Sequence, residues 1–173
     1  MGNGIRNPYR NGVSRSVPKK LNVDFNSERV CPACGKVIKI SHNFCKYCGV
    51  DLSKIHPIGN TDEISKNLAI AASSDTEVSV RKEAVETLGG FEDTKNLGVI
   101  TWVLLNDPDW KVRKEAADEL GDIAHPYSMD ALAKAMKDPH PEVREEAIEG
   151  LKKIKEKNKA EDQIKGKAKE REE

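Results

Sequence analysis

One phrase occurs three times along the chain at nearly constant spacing. Its clearest copy, residues 107–121, has the pattern D-P-x-x-x-V-R-x-x-A-x-x-x-L-G. A copy that begins at Asp75 precedes it by 32 residues, and a copy that begins at Asp138 follows it by 31. A phrase that recurs at a fixed period of this length predicts a stack of similar structural units rather than a fold built around one central core.

Each copy of the phrase predicts an amphipathic helix. Its apolar residues recur three and four positions apart, so they share one helix face. The Asp that opens each copy is expected to be the helix N-cap, with Pro108 and Pro139 at the first helical position. A second, more apolar helix is predicted ahead of each copy, over about 62–72, 94–105 and 127–137. The predicted apolar stripe comprises Val80, Ala84, Val85, Leu88, Val112, Ala116, Ala117, Leu120, Val143, Ala147, Ile148 and Leu151.

Two helices per period of about 31 residues predict an α-solenoid. The phrase closely resembles the short HEAT-like repeats of the phycocyanobilin-lyase type over about residues 62–154. The resemblance implies an all-α domain of about three HEAT-like helix pairs at 61–155. It further implies that Arg and Asp residues at fixed positions tie adjacent repeats together, here Arg81, Arg113 and Arg144 with Asp75, Asp107 and Asp138. Such repeats serve many unrelated tasks, so the resemblance concerns the fold and not an activity.

The four cysteines form two C-x-x-C pairs, Cys31 with Cys34 and Cys45 with Cys48. Four thiolates complete the tetrahedral shell of one Zn²⁺ and leave no position for a substrate, so the predicted site is structural. Residues 30–53 resemble the short zinc-ribbon domains, which implies a small β ribbon at the N-terminal side of the repeats. His42 is expected to face solvent, and Phe44 is expected to pack inside the ribbon.

The net charge of zero conceals three unlike segments. Residues 1–50 hold nine Lys and Arg against two Asp and Glu, and residues 61–149 hold ten against twenty. Residues 150–173 hold nine against six. Separation of charge on this scale indicates interaction surfaces, with a basic front that suits an acidic partner and an acidic array that suits a basic one.

Residues 1–29 are predicted to be a disordered basic arm, and residues 54–60 a linker. The short linker predicts that the ribbon lies near the N-terminal end of the stack and caps it. Residues 156–173 are nearly all charged and are expected to be a fraying helix or disordered. The alternative for the front of the chain is binding of RNA through the arm and the ribbon; its candidate residues are Arg6, Tyr9, Arg10, Arg15, Lys19, Lys20, Lys36 and Lys46.

Acidic residues also recur in register on the second helix of each predicted pair. Each of these helices carries two of them, three residues apart, so the two carboxylates lie on the same helix face, opposite the apolar stripe. We call this set the acidic ridge; it comprises Glu83, Glu86, Glu115, Asp118, Glu146 and Glu149. The acidic ridge can be a docking surface for a basic partner or a solvated helix face. Trp102 and Trp110 are expected to pack in the repeats, although an exposed Trp110 would add a binding anchor.

These features favour a non-catalytic adaptor for protein partners. The resemblance to HEAT-like arrays implies that the second helices line the concave face, so the repeats would present the acidic ridge in a groove. The alternative is an RNA- or ribosome-associated factor, and a third hypothesis is a lyase-like or assembly-chaperone role. No catalytic residue is predicted, because the chain has no Gly-rich phosphate loop and no His-Glu dipeptide of the kind that binds iron in other HEAT-like proteins. A membrane span and a signal peptide are not expected either, which makes the cytoplasm the default location.

Overall fold

The computed structural model of the chain describes residues 19–59 and 62–169. Its first part is a small ribbon and its second part is a stack of helices. The ribbon contains the antiparallel strands β1 and β2, and short 3₁₀ helices at Thr94–Asn96 and Pro126–Ser128 lead into α3 and α5. The described elements are β1 (Glu28–Val30), β2 (Val37–Lys39), α1 (Glu63–Ser74), α2 (Val78–Gly90), α3 (Leu97–Asn106), α4 (Trp110–Ile123), α5 (Met129–Ala135) and α6 (Pro141–Lys169). The predicted all-α solenoid with an N-terminal β ribbon is confirmed.

The helices form three pairs in two layers. The first helices α1, α3 and α5 contact one another in order, and the second helices α2, α4 and α6 do the same. The small residue of the repeated phrase lies inside this stack, since Ala84 is 4% exposed and Ala116 and Ala147 are fully buried. Between α4 and α6 the approach is so close that a Cβ added to Gly121 would lie 2.7 Å from the Cα of Gly150.

Buried arginines join each second helix to the next pair. The Nε and Nη2 atoms of Arg81 donate to the two carboxylate oxygens of Asp107 at 2.7 and 3.0 Å. Arg113 contacts Asp138 in the same way at 2.7 and 2.9 Å. The prediction that these residues tie adjacent repeats together is thereby confirmed for both junctions. In the last pair the Nη1 atom of Arg144 donates to the backbone carbonyl of Asp138 at 2.7 Å.

The predicted N-caps are wrong by two residues. Asp107 does not cap α4; its carboxylate accepts from the backbone N–H of Asp109 at 2.8 Å, and Asp109 is the cap, accepting from Lys111 at 2.8 Å. Pro108 therefore precedes the helix, and α6 likewise begins at Pro141 rather than at Pro139. In all three copies the carboxylate of the repeat Asp accepts from the backbone N–H two residues on, and at Asp107 and Asp138 it is also bound by the arginine of the preceding pair.

The two ends of the stack differ from its middle. Val80 and Ile148 are 41% and 54% exposed, whereas the residues that match them in the other pairs are fully buried. Both lie in terminal pairs, where no neighbouring pair covers them. When the three copies of the phrase are aligned, Lys152 of α6 takes the position that Gly89 and Gly121 hold in the earlier second helices. Glu145 takes the position that two lysines hold there. The buried counterparts of Val80 and Ile148 are Val112, Val143, Val85 and Ala117, and the two lysines are Lys82 and Lys114.

The segment 19–29 packs against the helices, which corrects the prediction of a disordered arm over 1–29. Phe25 is buried in the main core, and Leu21 and Val23 pack at its edge. Phe25 stands in a turn closed by the N–H groups of Ser27 and Glu28, which donate to the carbonyl of Asp24 at 3.0 and 2.7 Å. Residues 1–18, with the candidates Arg6, Tyr9, Arg10 and Arg15, lie outside the described residues.

The predicted linker is also packed. Ile55 and Ile58 are buried, and the guanidinium of Arg29 donates to the backbone carbonyl of Ile55 at 2.7 Å and to that of His42 at 2.9 Å. Arg29 itself is buried, and these bonds offset part of the cost of burying its charge, while its Nε atom has no hydrogen-bond partner among the described residues. The ribbon and its connection to α1 therefore fold as one packed unit.

The ribbon lies on α3, the first helix of the middle pair, and not over the N-terminal end of the stack as predicted. A Cβ added to Gly98 would lie 2.0 Å from the carbonyl oxygen of Val30, so only glycine allows this approach. The hydroxyl of Thr101 donates to the carbonyl of Pro32 at 2.7 Å. The contacting residues recur at helical spacing on one face of α3; they are Gly98, Thr101, Trp102 and Leu105.

Candidate metal centre and charged surfaces

The four cysteine sulfurs converge at one point of the ribbon. All four Sγ atoms lie within 4.8 Å of one another, and the Cys31–Cys48 and Cys34–Cys45 distances are both 3.7 Å. Zinc–sulfur bonds of about 2.3 Å in a tetrahedron place the sulfurs about 3.8 Å apart, which two of the pairs match, so a small contraction of the group would accommodate Zn²⁺. The predicted cofactor, one zinc ion held by these four residues, is supported by this geometry.

The local backbone explains why the sulfurs converge. Gly35 and Gly49 adopt φ values of +70° and +78°, which close the turn after each C-x-x-C pair. Their N–H groups donate to the carbonyls of Cys31 and Cys45, both at 2.8 Å. Burial raises the pKa of the Cys31 thiol and raises that of Cys34 to about 11. A bound cation is therefore what would hold these thiols in the ionised form.

Phe44 does not pack inside the ribbon, which corrects the prediction. Its side chain is 61% exposed, whereas Ile38 and Leu52 fill the small core beside the cysteines. Phe44 directly precedes Cys45 in an extended segment that pairs with Asp51. Successive side chains of an extended segment point to opposite sides, so the inward sulfur of Cys45 turns the ring outward. His42 is exposed, in agreement with its prediction.

The acidic ridge runs along the second helices, where Glu83, Glu86 and Glu149 are exposed and Glu115, Asp118 and Glu146 are half-buried, and lysines partly neutralise it. Lys82 contacts Glu115 at 2.7 Å and Glu86 at 3.8 Å, and Lys114 contacts Glu146 at 2.8 Å. Further contacts join Lys153 to Asp118 and Lys152 to Glu149, both at 3.5 Å. Lys82 and Lys114 directly precede Glu83 and Glu115 in the sequence. Their shortest contacts, however, are to carboxylates of the next repeat, so these ion pairs could not be predicted without knowing how the repeats stack.

Two carboxylates adjoin the acidic ridge that the sequence analysis did not single out. Asp122 is exposed and contacts Lys153 at 2.5 Å. Glu119 extends over Gly89 of α2, in space that any larger side chain would fill. Burial first, and then the neighbouring carboxylates, raise the pKa of Glu119 to about 7. The same causes in the same order raise the pKa of Asp118. Negative charge is therefore in excess here, with eight carboxylates beside four lysines.

Trp102 and Trp110 both pack within the repeats. Trp102 is 7% exposed and lies under the ribbon. Trp110 is half-buried, and its ring stacks on the ring of His140 with 3.8 Å between centroids and 4° between planes. This contact joins the second pair to the third. Because one face of the Trp110 ring is covered by the chain itself, we do not include Trp110 in the proposed binding surface.

The basic candidates within the described residues are on the surface. Lys19, Lys20, Lys36 and Lys46 are all exposed. Residues 19–59 hold seven Lys and Arg against three Asp and Glu, so this side of the molecule is basic. Its basic character is opposite in sign to the acidic ridge.

A cysteine-rich ribbon fixed to the side of a helical repeat stack defines a class of binding scaffold with a structural metal. The family model of HEAT repeats matches residues 64–123 and 97–165, and that of a zinc-ribbon domain matches residues 27–52. The HEAT matches span more than half of the chain, and the chain belongs to the HEAT-repeat family. Comparison with curated proteins gives no match.

Both matched families are non-catalytic modules. HEAT repeats act as protein-interaction scaffolds, and a zinc ribbon acts as a nucleic-acid- or protein-binding module. Among residues 19–59 and 62–169, no helix combines the length and the apolar character that a membrane crossing requires.

Proposed function

We propose that the protein is a non-catalytic adaptor whose acidic ridge binds a basic segment of a protein partner. The observation that carries the proposal is the alignment of carboxylates from α2, α4 and α6 on one solvent face, where they outnumber the lysines. An excess of one charge along a ridge attracts and orients a partner of the opposite sign.

The position of the ribbon supports an adaptor with two separate binding surfaces. The ribbon contacts α3 in the first-helix layer, and α3 packs on α4. The acidic ridge lies on the far side of the second-helix layer, directed away from the ribbon. Basic and acidic surfaces on opposite sides allow two partners to bind at once without contact between them.

The ridge is tested with a fluorescently labelled peptide of alternating Lys and Ala, whose binding is followed by anisotropy. Reversal of two exposed charges, Glu83→Lys with Glu86→Lys, is expected to weaken binding at least tenfold. The matched control, Glu63→Lys with Asp130→Lys, changes the same amount of charge in the first-helix layer and is expected to leave binding within twofold. Equal loss in both double variants would show that net charge, and not the acidic ridge, attracts the peptide.

The native partner is sought by pull-down from nuclease-treated extract with the same pair of double variants. A partner of the acidic ridge is captured by the wild-type protein and by the control, and is lost with the Glu83 and Glu86 changes. A protein captured equally by all three would argue against this surface.

A second candidate function is favoured by the basic side of the molecule, namely association with RNA through residues 1–59. Binding that is driven by phosphate contacts falls steeply as salt increases. Deletion of residues 1–18 is the appropriate test, because a longer deletion removes Phe25, which is buried in the main core. Salt-dependent RNA binding that is weakened by this deletion would support the second candidate.

A further inference from the structure

The two C-x-x-C turns of the ribbon have different surroundings. The first turn, residues 31–35, lies against α3, where Pro32 accepts from Thr101 and Gly35 approaches the backbone of Trp102. The second turn, residues 45–49, faces away, and a Cβ added to Gly49 would meet nothing within 4 Å. The first turn thus serves internal packing and the second is open to solvent.

Two aromatic rings lie beside the open turn. Phe44 and Tyr47 are 61% and 58% exposed, and the two rings flank Cys45 and Lys46 of the open turn. Neither ring is needed for the core of the ribbon, which Ile38 and Leu52 fill. Their exposure therefore has no explanation in the packing of this chain.

One ammonium group lies next to the Tyr47 ring. The Nζ atom of Lys46 lies 5.0 Å from the centroid of the Tyr47 ring, and Lys36 and Lys39 are exposed on the same ribbon. A flat ring next to an ammonium group can stack on an unpaired base while the cation neutralises the adjoining phosphate. Paired bases within a duplex do not offer a free face to such a ring.

We propose that Phe44 and Tyr47 form a stacking platform for single-stranded RNA, with Lys46 as its phosphate contact. This inference rests on the second candidate function, the association with RNA, and assigns its contact to particular side chains. The rings supply affinity with little preference for sequence, since every base has a face on which to stack. Unpaired RNA is thereby selected over duplex RNA.

The test uses the full-length, zinc-loaded protein and a labelled single-stranded RNA of 15 uridines, followed by anisotropy. Phe44→Ala with Tyr47→Ala is expected to weaken binding by about a hundredfold, because each of the two lost stacks costs about a factor of ten. Tyr47→Phe keeps the ring and should bind like the wild-type protein. Phe91→Ala removes an exposed ring from the helical repeats and should also have no effect. Zinc content and circular dichroism should stay unchanged in all variants.

The outcomes separate this inference from the function on which it rests. Binding that is weakened by deletion of residues 1–18 but not by the double alanine variant would retain RNA association and overturn the platform. No RNA binding by the wild-type protein would overturn both. Duplex RNA or single-stranded DNA bound more tightly than the single-stranded RNA would overturn the assigned ligand.

Discussion

At the scale of single residues, the arginine of the repeated phrase occupies three different environments. The side chains of Arg81 and Asp107 are 2% and 1% exposed, and those of Arg113 and Asp138 are 12% and 9% exposed. Arg144 instead donates to backbone carbonyls at the end of the stack. Since a buried ion that loses its partner is far more costly than an exposed one, equal substitutions should have graded effects.

We expect Arg81→Ala to lower the free energy of unfolding by about 3–5 kcal/mol, because it leaves the carboxylate of Asp107 buried and unpaired. Arg113→Ala should cost less, and Arg144→Ala should cost below about 1 kcal/mol. Urea unfolding of the three variants measures this order. Equal losses at the three positions would contradict the assignment of the first two arginines as junctions.

Glu119 should make stability depend on pH. Its pKa rises from 4.5 to about 7 in the folded state, where burial and nearby carboxylates oppose ionisation. The folded state thus holds this proton more tightly than the unfolded state, so the free energy of unfolding falls as pH rises from about 4.5 to 7. Because the side chain is partly exposed, we expect a discounted effect of about 1 kcal/mol.

The matched variant for this prediction is Glu119→Gln. It should be more stable than the wild-type protein at pH 8 and about equal to it at pH 5, as measured by urea unfolding at both values. A variant that is less stable than the wild-type protein at pH 8 would show that the ionised carboxylate is stabilising after all.

Some residues could be identified from the sequence and others could not. The four cysteines follow from spacing alone, because a C-x-x-C turn has one compact geometry and zinc requires four ligands. The exposure of Phe44 could have been predicted only from its place next to Cys45, since adjacent side chains of an extended segment point to opposite sides. Its aromatic character alone suggested that it was buried. Lys82 and Lys114 meet carboxylates a full repeat away, so their role depends on how the pairs stack.

At the scale of helices, glycine decides how closely α4 and α6 approach. A Cβ on Gly121 would lie 2.7 Å from the Cα of Gly150, and backbone atoms cannot move aside as a flexible side chain can. Gly90, in α2, would place a Cβ where nothing lies within 4 Å. These two positions therefore separate the effect of packing from that of helix propensity.

We expect Gly121→Ala to lower the free energy of unfolding by about 1–3 kcal/mol through forced separation of the helices. Gly90→Ala should raise it by up to about 1 kcal/mol, because alanine favours a helix over glycine. Chemical denaturation of both variants measures the difference. Stabilisation by both changes would mean that α4 and α6 are not in close contact.

Helix α3 shows how far the helical elements could be predicted. Residues 97–104 are all buried, although a first helix of a repeat pair normally exposes one side. The near-continuous apolar run in the sequence predicted a helix correctly. The ribbon that covers its outer side was not predicted there, because this contact joins residues about 70 positions apart, such as Thr101 with Pro32.

At the scale of the whole molecule, the ribbon and the helical stack share one core. Phe25, Val30 and Ile58 from the ribbon side belong to the same buried cluster as the helices. We expect folding of the ribbon to depend on its metal, because small zinc modules bury too little apolar surface to fold without one. The metal should therefore stabilise the helices as well.

We expect one zinc ion per chain and a loss of stability throughout the molecule when a strong chelator removes it. Undocking of the ribbon would expose the outer face of α3, so binding of a hydrophobic dye and a red shift of Trp102 fluorescence should accompany zinc release. Metal analysis, thermal unfolding and emission spectra test this. Helices that melt at the same temperature with and without zinc would contradict the shared core.

The lysine at position 152 has a consequence for how this chain can grow. Earlier second helices carry Gly89 and Gly121 at that position, and the glycine at 121 admits the neighbouring helix at close range. A further unit appended after α6 would meet a long charged side chain there, and Glu145 would oppose the acidic residue that such a unit carries. A helix pair placed beyond α6 would therefore fit against it less closely than α6 fits against α4.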